Sequence, residues 1–150
     1  MLVYKRVEDD SSLLSLMSIR NEVRSFMTGS QELITWEQQR KWFEYLDHSL
    51  IKIWLYGTDF NNWIGYGQLR IEPGAPVYGV SSHAVTADCR GKGYGEEILK
   101  DIIVHAKEYG CNAMRAEIFK DNAASLGLVY KLGYKNTKDM GDVWEVQLPL

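Results

Sequence analysis

The fold class this chain predicts is α/β (α+β): one domain built on a mixed sheet. Three observations predict it. Strand-like alternation and helix-like periodicity take turns along the whole length. A glycine-rich hexapeptide, Arg90-Gly91-Lys92-Gly93-Tyr94-Gly95, joins an apolar strand to an amphipathic helix. At 150 residues and 45% hydrophobic content, the chain has material for one full core. No repeat, linker or low-complexity segment interrupts it.

Taken in order, the pattern predicts a strand at about 2–7 and a helix near 10–20. Asp9, Asp10 and Ser11 are candidate caps, and Leu13, Leu16, Met17 and Arg20 are spaced along that helix. A polar connection, Asn21 to Ile34, follows. Thr35-Trp36-Glu37-Gln38 reads as a capping box that opens a second helix through Leu46. Strands come next at about 50–56 and 62–72, the second alternating Ile64, Tyr66 and Gln68 against Gly65, Gly67 and Leu69. Pro73-Gly74-Ala75-Pro76 is a turn. The remainder reads as strand 77–86, helix 93–109 ending at Gly110, strand 113–119, helix 123–132, and strands 134–137 and 142–148.

Charge and cysteine usage bound the function. The net charge of −3, with no Lys/Arg run, argues against a nucleic-acid surface. Cys89 and Cys111 form no disulfide framework, and no metal spacing joins them to His48, His83 or His105. There is no signal peptide or long apolar span, so the expectation is a soluble protein of a reducing cytoplasm, bound to no membrane and no metal.

The glycine-rich stretch carries the strongest chemical signal. Glycines at a helix start let the backbone adopt dihedrals that a side chain forbids and come close to a ligand. The first-turn N–H groups point outward unpaired, and the helix dipole adds partial positive charge, so phosphate binds there well. The spacing is not a P-loop, because no hydroxyl follows Lys92. Nor is it the dinucleotide fingerprint, because Gly91, Gly93 and Gly95 give Gly-x-Gly-x-Gly. A tight strand-to-helix connection is the competing reading.

The stretch fits Arg-x-x-Gly-x-Gly and is preceded by an extended segment ending His83-Ala84-Val85. Downstream, Asn122-Ala-Ala-Ser125 leads through a short helix to Lys131-Leu132-Gly133-Tyr134. In order and spacing the two motifs resemble the GNAT superfamily of acetyltransferases, and they cover most of residues 77 to 137. The resemblance implies a sheet of about seven strands splayed at the cofactor site, about four helices, and acetyl-CoA as cofactor. It implies a monomer or homodimer that transfers an acetyl group to a primary amine of a small molecule, such as an amino sugar or sugar nucleotide. Two alternatives stand: a protein N-terminal or lysine acetyltransferase, and a non-catalytic acyl-CoA-binding module.

The resemblance also assigns residues. Arg90, Gly91, Lys92, Gly93, Tyr94 and Gly95 form the pyrophosphate loop, Asn122 reaches the pantetheine arm, and the backbone N–H of Val85 or a neighbour bonds the acetyl carbonyl. The amine must lose a proton, which calls for an acceptor. Glu117, five positions before Asn122, matches the place of the ribosomal-protein enzymes' glutamate; the other reading is a solvated glutamate paired with Arg115 or Lys120. His83, on the same strand face as Val85, is the second candidate, or else a packed strand histidine. The family's usual acid, a Tyr seven positions after the asparagine, is Val129 here. Tyr130 follows it but points about 100° away on a helix. Arg24 is a candidate for a substrate phosphate or carboxylate, and Trp36, Trp42, Trp54 or Trp63 for stacking on a sugar or base. Solvated arginines and core tryptophans are the plain alternative.

Overall fold

A computed structural model describes residues 1–24 and 32–150. The first strand, β1 (Val3–Arg6), ends before Asp9, whose carboxylate accepts the N–H of Ser12 at 2.8 Å while the Ser12 hydroxyl accepts the N–H of Asp9. That reciprocal cap starts α1 (Asp10–Val23). The helix runs beyond residue 20 because Ile19 and Val23 bury in the core and hold its last turn. The predicted Asn21–Ile34 connection is therefore helical at its start. The rest of it lies partly outside the described residues. Thr35 and Gln38 exchange hydrogen bonds of 3.0 and 3.2 Å as the second capping box, opening α2 (Trp36–Tyr45).

The remaining elements are β2 (Ile51–Asp59), β3 (Asn62–Glu72), β4 (Tyr78–Val85), α3 (Tyr94–Glu108), β5 (Ala113–Phe119), α4 (Ala123–Lys131), β6 (Lys135–Asp139) and β7 (Val143–Pro149). All seven strands belong to one mixed sheet in the order β1-β2-β3-β4-β5-β7-β6. β1 runs antiparallel to β2, with Val3 opposite Gly57 and Arg6 opposite Trp54. β4 and β5 are parallel and share the pairs Tyr78–Ala113 and Gly79–Met114. β5 pairs with β7 along its full length, Ala113 opposite Pro149 through Phe119 opposite Val143. Among the described residues, no helix is long and apolar enough to cross a membrane.

The chain packs as two compact units, Met1–Gln68 with Ser82–Leu99 and Leu69–Ser81 with Lys100–Leu150. In the first, α1 lays Leu13, Leu16, Ile19 and Val23 on Ile53, Leu55, Tyr66 and Ala84; Trp36, Trp42, Phe43 and Trp63 close the rim. Burying each such aliphatic side chain is worth about 1.5–3 kcal/mol. In the second unit, Met114 and Val146 are fully buried, and Gly79 fits tightly against Met114, Leu69 and Cys111. A Cβ at Gly79 would stand 2.9 Å from the Met114 sulfur. No larger residue would fit there without moving that core.

Candidate active site

Thr86 donates its N–H to Ile64 at 2.8 Å, which ties the end of β4 to β3. Successive N–H groups of a strand point to opposite edges, so the N–H of Val85 is turned away from β3. A short 3-10 turn, Ala87–Cys89, follows, and Nε of Arg90 donates back to the Val85 carbonyl at 3.3 Å. Gly91 and Gly93 then take φ of +74° and +81°, a conformation that costs any other residue strain. A Cβ at either would meet nothing within 4 Å, so backbone and open space make up this turn.

The first intrahelical bond of α3 runs from Glu97 N–H to the Gly93 carbonyl at 3.2 Å. The N–H groups of Tyr94, Gly95 and Glu96 precede it and have no acceptor within the helix. The exposed Arg90 and Lys92 stand beside them. The first turn also carries Glu96 and Glu97, and the Glu97 carboxylate accepts the N–H of Leu2 at 2.6 Å. Positive-φ glycines, outward donors and two cations fit a pyrophosphate.

His83 turns toward this helix end: its Nε2 lies 3.6 Å from where a Gly95 Cβ would be. Burial lowers its pKa below the usual 6.5, which keeps the imidazole neutral at neutral pH. Its strand neighbour Ser82 lines a cleft together with Arg20, Trp42 and Tyr66. The two side chains thus take opposite faces, as strand alternation requires.

In the second unit, Glu117 is exposed on β5 and faces Glu145 across the ladder. The pairings weighed against a catalytic role are absent. Arg115 instead bonds Glu72, and Lys120 bonds Asp139 at 2.6 Å. Hydrogen bonds from Thr137 and then Gln147 hold the Glu145 carboxyl below its ordinary range. Glu117 shares a cleft of about 330 Å³ with Arg70, Glu72, Ser81 and Arg115. Asn122 caps α4, its Oδ1 accepting the N–H of Ser125 at 3.1 Å, which leaves the Nδ2 donors for another partner. Val129, at the family's tyrosine position, is 6% exposed. Tyr130 points outward, and its hydroxyl donates to Asn136 at 2.7 Å.

Two cavities in the first unit, about 400 and 260 Å³, share Arg20, Trp42 and Tyr66 in their walls. Arg24 lines the larger one, and its guanidinium bonds the Asn21 carbonyl. Trp36 packs against the core, with the Arg40 guanidinium 6.0 Å from its ring, so the tryptophan in the cleft wall is Trp42. Trp54 is buried at 3% and Trp63 packs on the core and on Phe60. The sequence points to residues 20–46 and the strand pair 50–72 as the region of substrate choice, with Arg24 and Trp36 as its candidates; Arg20, Gln39 and Tyr66 lie in that region and are not singled out for contact with a substrate. The signal available was a charge at residue 20 continuing the apolar face of Leu13 and Leu16.

A family model described as acetyltransferase (GNAT) family matches residues 16–134. The L-methionine sulfoximine/L-methionine sulfone acetyltransferase of Pseudomonas paraeruginosa is 36% identical over 83 residues, 54% of this chain and 47% of that protein. The chain thus matches about half the length of this relative. A Salmonella typhimurium protein solved with its cofactor acetyl-CoA superposes with a TM-score of 0.77 at 20% identity, covering 100% of this chain and 94% of that one. The ribosomal-protein-alanine N-acetyltransferase of Brucella melitensis gives a TM-score of 0.78 at 20% identity, with 99% of each chain covered. At that identity the two superpositions speak for the fold.

Proposed function

The chain belongs to the acetyltransferase (GNAT) family, and on that premise we propose that it transfers the acetyl group of acetyl-CoA to a primary amine of a small molecule. The observation that carries this reading is the turn of Gly91 and Gly93 in front of α3, whose first intrahelical bond is Glu97 N–H to the Gly93 carbonyl, with Arg90 and Lys92 beside it. These residues would hold the cofactor's pyrophosphate. When bound, acetyl-CoA supplies an acetyl group activated as a thioester. The Val85 N–H, turned away from β3, is the donor placed to polarise a carbonyl oxygen. The Nδ2 group of Asn122 is the donor that the family resemblance assigns to the pantetheine arm.

Glu117 is the proton acceptor in this reading. Its carboxylate is exposed, engaged by neither Arg115 nor Lys120, and lines a polar cleft, so it can take a proton from an ammonium directly or through water. His83 lies against the loop helix and suits positioning of the turn better than proton transfer. Two features support a small acceptor: the cavities around Arg20 are at or below the usual small-molecule range of about 300–1,000 Å³, and the Pseudomonas relative is named for amino-acid substrates. An amino sugar belongs in the same test panel. The Brucella neighbour's name keeps a protein N-terminus as a second reading.

Thiol release on mixing the protein with acetyl-CoA and a panel of small amines, with an alanine-terminated peptide alongside, tests the proposal. Release with a small amine supports it. Release with the peptide alone moves the function to protein acetylation, and release with neither leaves an acyl-CoA-binding module.

A further inference from the structure

Arg20 is a charge that no carboxylate among the described residues neutralises. It sits half-buried near the end of α1, where Leu13, Leu16 and Ile19 have already turned into the core. Its NH1 donates to Oε1 of Gln39 at 2.7 Å, and its guanidinium carbon lies 4.3 Å from the centre of the Trp42 ring. Both partners are uncharged, and among the described residues no carboxylate pairs with it. Gln39 is itself 0% exposed, and its Nε2 donates to the Leu13 carbonyl at 3.4 Å, which fixes the amide with its oxygen toward Arg20. Taking a guanidinium partly out of water without a counter-charge is unfavourable, and burial accordingly lowers the pKa of Arg20. Tyr66 feels the same surroundings: burial raises its pKa, and the nearby Arg20 charge pulls it back down.

The arrangement holds the guanidinium still while leaving part of it unengaged. One face lies on Trp42 and one N–H is given to Gln39, so four of its five N–H groups have no protein partner among the described residues. Arg20 lines the cavities of about 400 and 260 Å³, and the smaller is completed by Gln68 and Ser82, which are neutral and polar.

We propose that Arg20 is the anion receptor of the acceptor site, and that the amine this protein acetylates carries a carboxylate, as an α-amino acid does. This rests on the acetyltransferase reading above. A planar fork matches a carboxylate in two parallel hydrogen bonds. The smaller cavity has a single formal positive charge in its wall, which balances one negative charge and leaves a dianionic phosphate half-uncompensated. Arg24 does not change this count: it opens on the larger cavity, whose wall also carries Glu32. Gln39 is a positioning residue, since it holds Arg20 by NH1.

The test compares alanine, leucine and methionine with their carboxamides, which keep the amine and side chain but lose the charge. Turnover is followed by thiol release, and binding by calorimetric titration of N-acetylalanine against N-acetylalaninamide. The wild-type protein is expected to favour the acids by about 100-fold in kcat/KM, through KM, and to bind N-acetylalanine but not its amide. Arg20→Gln should bring the acid-to-amide ratio below about 5-fold, and Arg20→Lys should recover part of it. Equal handling of acids and amides by the wild type overturns the proposal without any variant, so misfolding of Arg20→Gln cannot rescue it. Discrimination in binding with no turnover of any amine upholds the anion receptor and overturns the transferase. Turnover without discrimination does the reverse.

Discussion

The Tyr130 hydroxyl donates a 2.7 Å hydrogen bond to Oδ1 of Asn136, across the turn that joins α4 to β6. A hydroxyl so engaged, on a side chain 42% exposed, is expected to serve the helix end rather than a leaving sulfur. Tyr130→Phe should therefore leave kcat within about twofold and lower stability by no more than about 1 kcal/mol. Steady-state rates with a denaturant melt check both. A fall in kcat beyond tenfold, with a weakened basic limb of the pH profile, would assign the acid role to Tyr130 instead.

Restoring the family's tyrosine should not help. Val129 is 6% exposed, so a larger ring there has to displace its neighbours. Val129→Tyr should cost about 1–3 kcal/mol by overpacking, a drop of several degrees in Tm for a chain of this size. An unchanged Tm with a raised kcat would show that thiolate protonation limits turnover.

The proton acceptor separates by substitution and by pH. Glu117→Gln should lower kcat by about 100-fold with little change in acetyl-CoA affinity, and His83→Ala should do less. Burial holds the His83 pKa below 6.5, so a rate governed by that imidazole would lose activity only as pH falls below 6.5. An acidic limb that vanishes in His83→Ala and survives in Glu117→Gln reverses the assignment.

The cap of α1 sets part of the acid stability. Hydrogen bonds from the side chain and then the backbone of Ser12 hold the Asp9 carboxyl at about 2 against an ordinary 3.8. A folded-state pKa below the unfolded one contributes stability that is present above pH 3.8 and lost as pH falls toward 2. Asp9→Asn should flatten the dependence of stability on pH across that window, read by urea unfolding at stepped pH. A profile parallel to wild type would remove Asp9 from the account of acid sensitivity.

What the sequence made legible follows contact range. The Thr35–Gln38 capping box, Asp9 as the cap of α1, the order of seven strands and four helices, and the glycine turn rest on residues near one another in the chain, and the structure has each of them. The end of α1 was set too early because Val23 is held by tertiary burial rather than by a local stop signal. The pairing of Arg115 with Glu72 spans 43 residues and redirects the partner expected for Glu117. The wall of Arg20, Trp42 and Tyr66 is assembled from α1, α2 and β3, and no local pattern announces it. Between Trp36 and Trp42, helix phase decides which ring reaches the cleft, and the sequence left both open.

The acetyltransferase reading depends on the backbone of residues 90–95 holding the cofactor's pyrophosphate. Calorimetric titration of acetyl-CoA into the wild-type protein and into Gly93→Val tests that directly. Gly93 has φ of +81°, which a β-branched residue does not adopt without strain, so the substitution re-routes the turn in front of α3. The predicted result is saturable binding by the wild type and an affinity weaker by about 10–100-fold in the variant, as loss of one or two charge-assisted hydrogen bonds gives. A variant that melts cooperatively and binds acetyl-CoA as tightly as the wild type would contradict it.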